Sequence, residues 1–455
     1  MNDKNIKIDR EFDLGYQAYQ NKKYKEVIKH FSKVIKLDNN NSAAYNNRGL
    51  AKENLQQYEE AIEDYDKAIE LDNDYSNAYY NRGNSKYDLE RYEEAIKDYD
   101  KAIELDNNYS NAYYNRGNSK YDLERYEEAI EDYDKAIELD SNYSVAYNNR
   151  GLAKWNLQQY KEAIKDYDKA IELDNNYSDA YYNRGNSKYD LERYEEAIED
   201  FNKAIELDNS SDAYNNRGLA KYDLERYEEA IEDYNKAIEL DNNYSMAYYN
   251  RGLAKKNLQR YEEAIEDFNK VIELDNNDIL VYNQIGFIKT KQANIELKKL
   301  NYDKALELLN ETIEYCDKGI KIKSDNSEIY DSRGYARTKI ANLERNKNNI
   351  DNAVKLYKEC IEDFNKVIEL NNEHAFAYNS LGYIKNILAN IQKDKISEKD
   401  YNRLKKEALD NFNKAYEFAN EDLKEKIIKY LSKLAKNNEK IARDFFKTHN
   451  FENPI

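Results

Sequence analysis

The stretch Ser76–Tyr109, SNAYYNRGNSKYDLERYEEAIKDYDKAIELDNNY, returns almost letter for letter from Ser110 and again from Ser178. A fixed period of this length marks an array of small units, each too short to bury its own apolar face. Glycines set the frame at Gly15, Gly49, Gly83, Gly117, Gly151, Gly185, Gly218 and Gly252; every step is 34 residues except the 33 to Gly218. Two helices read out of each unit. The first runs from about Ala78 to Leu89, with Ser76 as its candidate N-cap. The second runs from Tyr92 to Leu105, where Tyr92, Ala95, Ile96, Tyr99, Ala102 and Ile103 follow the three-four spacing of an amphipathic helix. Asp106-Asn107-Asn108 is the break, because Asp and Asn bond their own backbone in turns.

Tyr79, Gly83, Ala95, Tyr99 and Ala102 stand at the offsets of the tetratricopeptide repeat pattern, and the chain resembles that family over eight units. The family's usual proline after the second helix is missing; Asn107 holds its place. The resemblance implies an all-α fold, a right-handed α-solenoid superhelix of antiparallel helix pairs, with the first helices lining a concave groove.

Outward from this unit, residues 1–7 read as a lead-in and residues 8–278 as eight repeats. After Asp278 the glycines continue as Gly286, Gly334 and Gly382, now 48 residues apart. An even split of the added 14 gives each helix seven more residues, about two turns or ~10 Å. Residues 279–422 therefore read as three extended pairs, and 423–455 as one capping helix and a tail that holds Pro454, the only proline.

Charge is uneven. Residues 1–278 carry 39 basic and 62 acidic side chains, and residues 279–455 carry 32 and 28. An acidic array repels phosphate backbones, so nucleic acid is not an expected partner. The charged N-terminus offers no apolar signal segment and no stretch approaches a membrane span; a cytoplasmic protein with no membrane role is the expectation. Cys316 and Cys360 read as packed thiols. With His30, His374 and His449 scattered, no metal or cofactor site forms, and no catalytic motif is present. The recurrent Asp-Tyr-Asp and Glu-Glu pieces read as a solvated helix face. No enzymatic activity is expected.

One column draws attention. Asn47, Asn81, Asn115, Asn149, Asn183, Asn216 and Asn250 each stand two residues before a glycine. An amide offers a donor and an acceptor together, and so pairs with the peptide groups of an extended chain without reading its side chains. The array is similar in this respect to the repeat region of O-linked N-acetylglucosamine transferase, and the resemblance places the column in the groove. A local structural role suits the column equally. Tyr80, Tyr114, Tyr182 and Tyr249 stand beside it, as aromatic contacts if exposed and as packing if not. The arginines one residue before the glycines, Arg48 to Arg251, read as structural partners of acids on a neighbouring helix. The basic clamp that the family's chaperone-tail binders use is missing. The expected function is a protein-interaction scaffold holding an extended partner segment; the alternative is a regulatory subunit that grips a folded enzyme through its extended C-terminal pairs.

Overall fold

A computed structural model describes residues 3–437, 439–449 and 451. Among them every regular element is a helix. The helices gather into two compact units, Met1–Leu240 and Asp241–Ile455. The division falls one pair ahead of Asp278, where the sequence rhythm changes.

The first unit contains α1 (Asp3–Gln20), α2 (Tyr24–Leu37), α3 (Ser42–Glu53), α4 (Tyr58–Leu71), α5 (Ser76–Asp88), α6 (Tyr92–Leu105) and α7 (Ser110–Asp122). It continues with α8 (Tyr126–Leu139), α9 (Ser144–Asn156), α10 (Tyr160–Leu173), α11 (Ser178–Asp190), α12 (Tyr194–Leu207), α13 (Ser211–Asp223) and α14 (Tyr227–Leu240). Odd and even helices pair, and each even helix from α2 to α12 also packs on the next odd one. The lead-in expected at residues 1–7 is helical from Asp3 onward, as the opening of α1.

Small residues decide how closely the two helices of a pair approach. A Cβ built on Gly83 would lie 2.7 Å from Cε1 of Tyr99, and the same contact recurs at Gly117 with Tyr133 and at Gly185 with Phe201. No glycine has a positive φ, so the column serves close approach. Between the helices the chain turns through a Schellman motif: Arg91 N–H donates to the Lys86 carbonyl at 2.9 Å and Glu90 N–H to Tyr87 at 2.8 Å. Its left-handed residue is Lys22 in the first short repeat and a glutamate or glutamine in the others, as at Glu90, Glu124 and Gln158, with φ of 59°. A side chain there costs roughly 1 kcal/mol against glycine. Ser76 is the first helical residue and not a cap; Tyr75 holds the cap position and makes no side-chain bond to the helix.

The second unit contains α15 (Ser245–Asn257), α16 (Tyr261–Leu274), α17 (Ile279–Lys298), α18 (Tyr302–Ile322), α19 (Ser327–Asn346) and α20 (Ile350–Leu370). It ends with α21 (Ala375–Ile391), α22 (Glu398–Phe418), α23 (Glu421–Lys436) and α24 (Lys440–Thr448). α15 and α16 have 13 and 14 residues, α17 and α18 have 20 and 21. Cys316 is fully buried where Phe364 and Phe412 stand in the next two pairs, and burial pushes its thiol up to about 12. Cys360 is equally buried and raised. The single capping helix of the sequence reading is two helices. Asn437 ends α23, and α24 folds back so that Ile441, Phe445 and Phe446 join Phe412 and Leu431 in one apolar cluster. A continuous helix would leave those side chains in water. Pro454 and its neighbours lie outside the described residues.

The glycine contacts separate two substitutions. Gly117→Ala forces a Cβ to 2.8 Å from Tyr133, an overpacking cost of about 1–3 kcal/mol that exceeds the ~1 kcal/mol helix-propensity gain. At Gly286 the nearest atoms, in Cys316 and Thr312, lie 3.6 Å away, so Gly286→Ala keeps the gain. Urea midpoints with amide hydrogen exchange should show the first variant loosened in α7 and α8 and the second unchanged or firmer; equal losses would contradict the contact argument.

Candidate interaction face

The first helices carry two layers of polar side chains. In the lower layer Arg82 donates to both oxygens of Asp98, at 2.9 and 2.5 Å, and to Asp66 of the preceding pair at 2.6 Å. Lys86 adds an ion pair to Asp98 at 2.9 Å, and the guanidinium lies 5.4 Å from the Tyr79 ring centre. Asp98 is 4% exposed. The clasp recurs through Arg116 on Asp132 and Asp100, Arg150 on Asp166 and Asp134, and Arg184 on Asp200 and Asp168. In the extended pairs Arg333 holds Asp363 and Asp317. The acids were expected on a solvated face. That holds for the second Asp of each Asp-Tyr-Asp, since Asp100 is half exposed, and fails for the first, which is buried because two cations satisfy it.

The asparagine column forms the upper layer. Within the first unit each Nδ2 donates to the preceding pair. Asn115 donates to the Tyr80 hydroxyl at 3.0 Å and the Asn84 oxygen at 2.9 Å. Asn149 does the same with Tyr114 and Asn118, and Asn216 with Tyr182 and Asn186. Where the preceding pair has Asn in place of Tyr, that Asn is the acceptor: Asn81 donates to Asn46 at 3.0 Å and Asn183 to Asn148 at 3.1 Å. Asn47 reaches the Tyr16 hydroxyl at 3.5 Å. Asn250, in the second unit, is buried. The amide oxygens of Asn149 and Asn216 accept from Asn148 and Asn215 at 3.2 and 3.0 Å.

The tyrosines beside the column are half-buried and packed. Tyr80 lies 4.7 Å from Tyr109 and 5.9 Å from Tyr99 between ring centres, and Tyr114 repeats this with Tyr143 and Tyr133. Tyr182 meets Phe201 and Tyr249 meets Phe268. Burial raises the hydroxyls of Tyr80, Tyr114 and Tyr182 above the ordinary phenol range. The sequence reading missed the acceptors Asn84, Asn118 and Asn186. Their signal was present: each occurs four residues after a tyrosine of the neighbouring column, while Leu50, Leu152 and Leu219 follow an asparagine there.

Models of the tetratricopeptide repeat match residues 110–143, 144–177, 178–210 and 245–278, and another matches residues 30–63. A model of the TPR repeat matches residues 54–89, 83–123 and 218–259. The chain belongs to the tetratricopeptide repeat family. Among solved structures it is similar to YrrB, a TPR protein with an unusual peptide-binding site, at 30% identity over 39% of this chain and 92% of that one, with a TM-score of 0.36. MamA is similar at 28% identity over 37% and 92%, with a TM-score of 0.35. A tetratricopeptide repeat protein from Parabacteroides merdae is similar at 19% identity over 55% and 98%, with a TM-score of 0.44. No curated protein matches the chain. Tetratricopeptide arrays act as protein-interaction scaffolds, typically without catalysis, and their stacked units present extended binding surfaces. Among the described residues no cluster of His, Cys, Asp and Glu suits a metal ion, and no helix is long and apolar enough to cross a membrane.

In the second unit Asp331 stands three residues before Gly334, in the register that Tyr80 holds. Its Oδ1 is buried and lacks a hydrogen-bond partner among the described residues. Burial, with the Glu328 charge adding, lifts the carboxyl to about 7. The folded state thus holds this proton more tightly than the unfolded chain does, and the group's contribution to stability falls as pH rises from ~4, the unfolded value, to about 7. Asp331→Asn should leave stability unchanged near pH 4 and raise it increasingly up to pH 7–8. Denaturation midpoints of both proteins across that range test this; a constant difference would refute it.

Proposed function

We propose that the first unit holds an extended segment of a partner protein along the first helices of its pairs. The amide oxygens of the asparagine column accept hydrogen bonds from the segment's backbone N–H groups. The observation that supports this most is the backward donation of every column amide in that unit. With Nδ2 tied to the preceding pair, each amide is held in one orientation and its oxygen repeats at the period of the array. Ordering that ligand-side group costs little on binding, because the fold has already ordered it. A register of identical acceptors gives modest affinity per site, and affinity accumulates by summation along the groove. Tyr80, Tyr114 and Tyr182 supply the rims of aromatic surface beside each acceptor, and Asn250 with Tyr249 are proposed in the same role in the second unit. The strong negative charge of residues 1–278 favours a protein partner over nucleic acid. No cofactor and no reaction enter this reading.

The test compares partners captured from native lysate by the wild-type chain and by a variant with Ala at the column asparagines, each checked for equal helicity by circular dichroism. Loss of the internal amide bonds should lower stability by about 1 kcal/mol per site, so the double variant Asn115→Ala, Asn149→Ala serves where the full set unfolds. Partners should be lost from the variant, and cross-links in the wild type should map to the odd helices α3–α13. Partners retained undiminished by a folded variant would remove the asparagines from the binding role.

A further inference from the structure

The face that carries the asparagine column in the first unit changes character in the second. Between residues 20 and 239 no large apolar side chain is exposed, whereas Met246, Leu280, Phe287 and Ile295 are 40–55% exposed. Met246 and Leu280 stand six residues before their glycines, where Asn77 and Asn111 stand earlier. The column one residue after the glycine, shared in the first unit by Asn84, Asn118 and Asn186 with Tyr16, Leu50, Leu152 and Leu219, is a ring in every extended pair, at Phe287, Tyr335 and Tyr383. Leu280 and Phe287 are seven residues apart on α17, two turns along one side of the helix.

Cations accompany these rings. The Lys256 and Lys291 ammoniums lie 5.6 and 5.1 Å from the Phe287 ring centre, and Lys339 lies 5.0 Å from Tyr335. Lys256 donates to Gln284 at 2.8 Å across α15 and α17. None of the three makes an ion pair among the described residues, although lysines such as Lys101 and Lys135 in the first unit pair with a glutamate three residues on. Tyr335 and Phe376 lie 6.1 Å apart and, with Tyr383, Asn379 and Lys426, wall a cleft of about 290 Å³. Two acids share the face. Glu328 accepts from Asn283 at 3.1 Å, and Asp331 is the buried carboxyl described above.

We propose that the first-helix face of α15, α17, α19 and α21 is a second docking surface, for an acidic segment of a partner protein that carries aromatic or aliphatic side chains. Its apolar side chains sit on Phe287 and in the cleft of Tyr335, Phe376 and Tyr383, and its carboxylates meet Lys256, Lys291 and Lys339. An exposed ring beside exposed aliphatic side chains marks a contact surface, and unpaired ammoniums beside it select the sign of the occupant's charge. A second copy of this chain fits less well. Its acidic repeats would supply the charge, but the large apolar side chains it exposes stand outside residues 20–239, at Ile6, Tyr16, Tyr19 and Leu240 and in the second unit, so the acidic middle of the array carries none to fill the cleft. The surface is independent of the asparagine column.

The full chain is tested against an array of 14-residue peptides, each with two Phe or Leu residues at varied spacing in a Glu, Asp and Ser background. A matching array replaces every Glu and Asp by Lys. Acidic members should bind more tightly than their basic counterparts, by a margin that Phe287→Ser removes. The strongest binder, fluorescein-labelled, should weaken at least tenfold with Phe287→Ser, with Lys291→Glu plus Lys339→Glu, and in 0.5 M salt. Its affinity should be unchanged by Asn115→Ala plus Asn149→Ala, which separates this surface from the column. Phe287 is exposed, so the variant folds, and circular dichroism verifies that. Absent binding to the acidic array, equal binding to both arrays, or undiminished binding to folded Phe287→Ser overturns the proposal. Concentration-dependent self-association by light scattering that Phe287→Ser abolishes would assign the face to a second copy and overturn it as well.

Discussion

At Arg82, Arg116, Arg150 and Arg184 an arginine shared between two carboxylates ties a helix pair to the one before it, and Arg48 and Arg217 reach back to Ser32 and Asn202 instead. Arg116 binds Asp132 within its own pair and Asp100 in the preceding one, so a single guanidinium fixes three helices. Its planar fork suits this, since one edge takes the buried carboxylate with two bonds while a third N–H reaches backward. Lys120 completes the charge balance around Asp132. The desolvation of a buried acid is severe, and removing one partner from such a cluster costs about 3–5 kcal/mol. The clasp therefore sets which carboxylates can be buried, and through them the spacing at which successive first helices lie.

Above the clasp, two kinds of pair are interspersed from α3 to α14 without altering the backbone. One kind has Tyr and Asn four residues apart on its first helix, as Tyr80 with Asn84; the other has Asn and Leu, as Asn148 with Leu152. Both present an acceptor to the next pair's amide, through two atoms in the first case and one in the second. The following asparagine is thus the invariant element, and the residues before it vary in matched sets. Position-specific packing and ligand recognition are not opposed here, because the bond that fastens Nδ2 inside the array is also what orients the oxygen.

Periodicity made most of the fold legible. The Gly83–Tyr99 pairing could be read from the sequence because a glycine in the middle of a helix needs a reason, and a large ring at a fixed offset supplies one. The added helical turns of the extended pairs were legible from the spacing of Gly286, Gly334 and Gly382. The arginine column was legible as the partner of acids on a neighbouring helix, but which of those acids is buried was not. Asp98 and Asp100 flank the same tyrosine, two residues apart on one helix, and the rotation of α6 against its neighbours buries one and exposes the other. The break between α23 and α24 was missed because the run from Asp422 keeps a helical spacing through Asn437, and the gain from folding Phe445 and Phe446 back is a tertiary effect. The backward direction of the amide bonds needs coordinates, since a column of asparagines looks the same whether it faces the next pair or the last.

That backward direction makes the array polar along its length. Besides the acid of its own pair, each arginine from Arg48 to Arg217 that stands one residue before a glycine draws on an acceptor of the preceding pair, as every column asparagine of the first unit does. During synthesis a pair emerging from the ribosome meets Asp66, Tyr80 or Asn84 already folded and waiting, and leaves its own acceptors for a pair not yet made. Growth from the N-terminus thus never strands a cation, and the unfilled acceptors at the growing edge are solvated groups such as Asp100. Assembly in the opposite sense would hold half-satisfied guanidiniums at each step. The direction of these bonds favours building the array in the order in which it is translated.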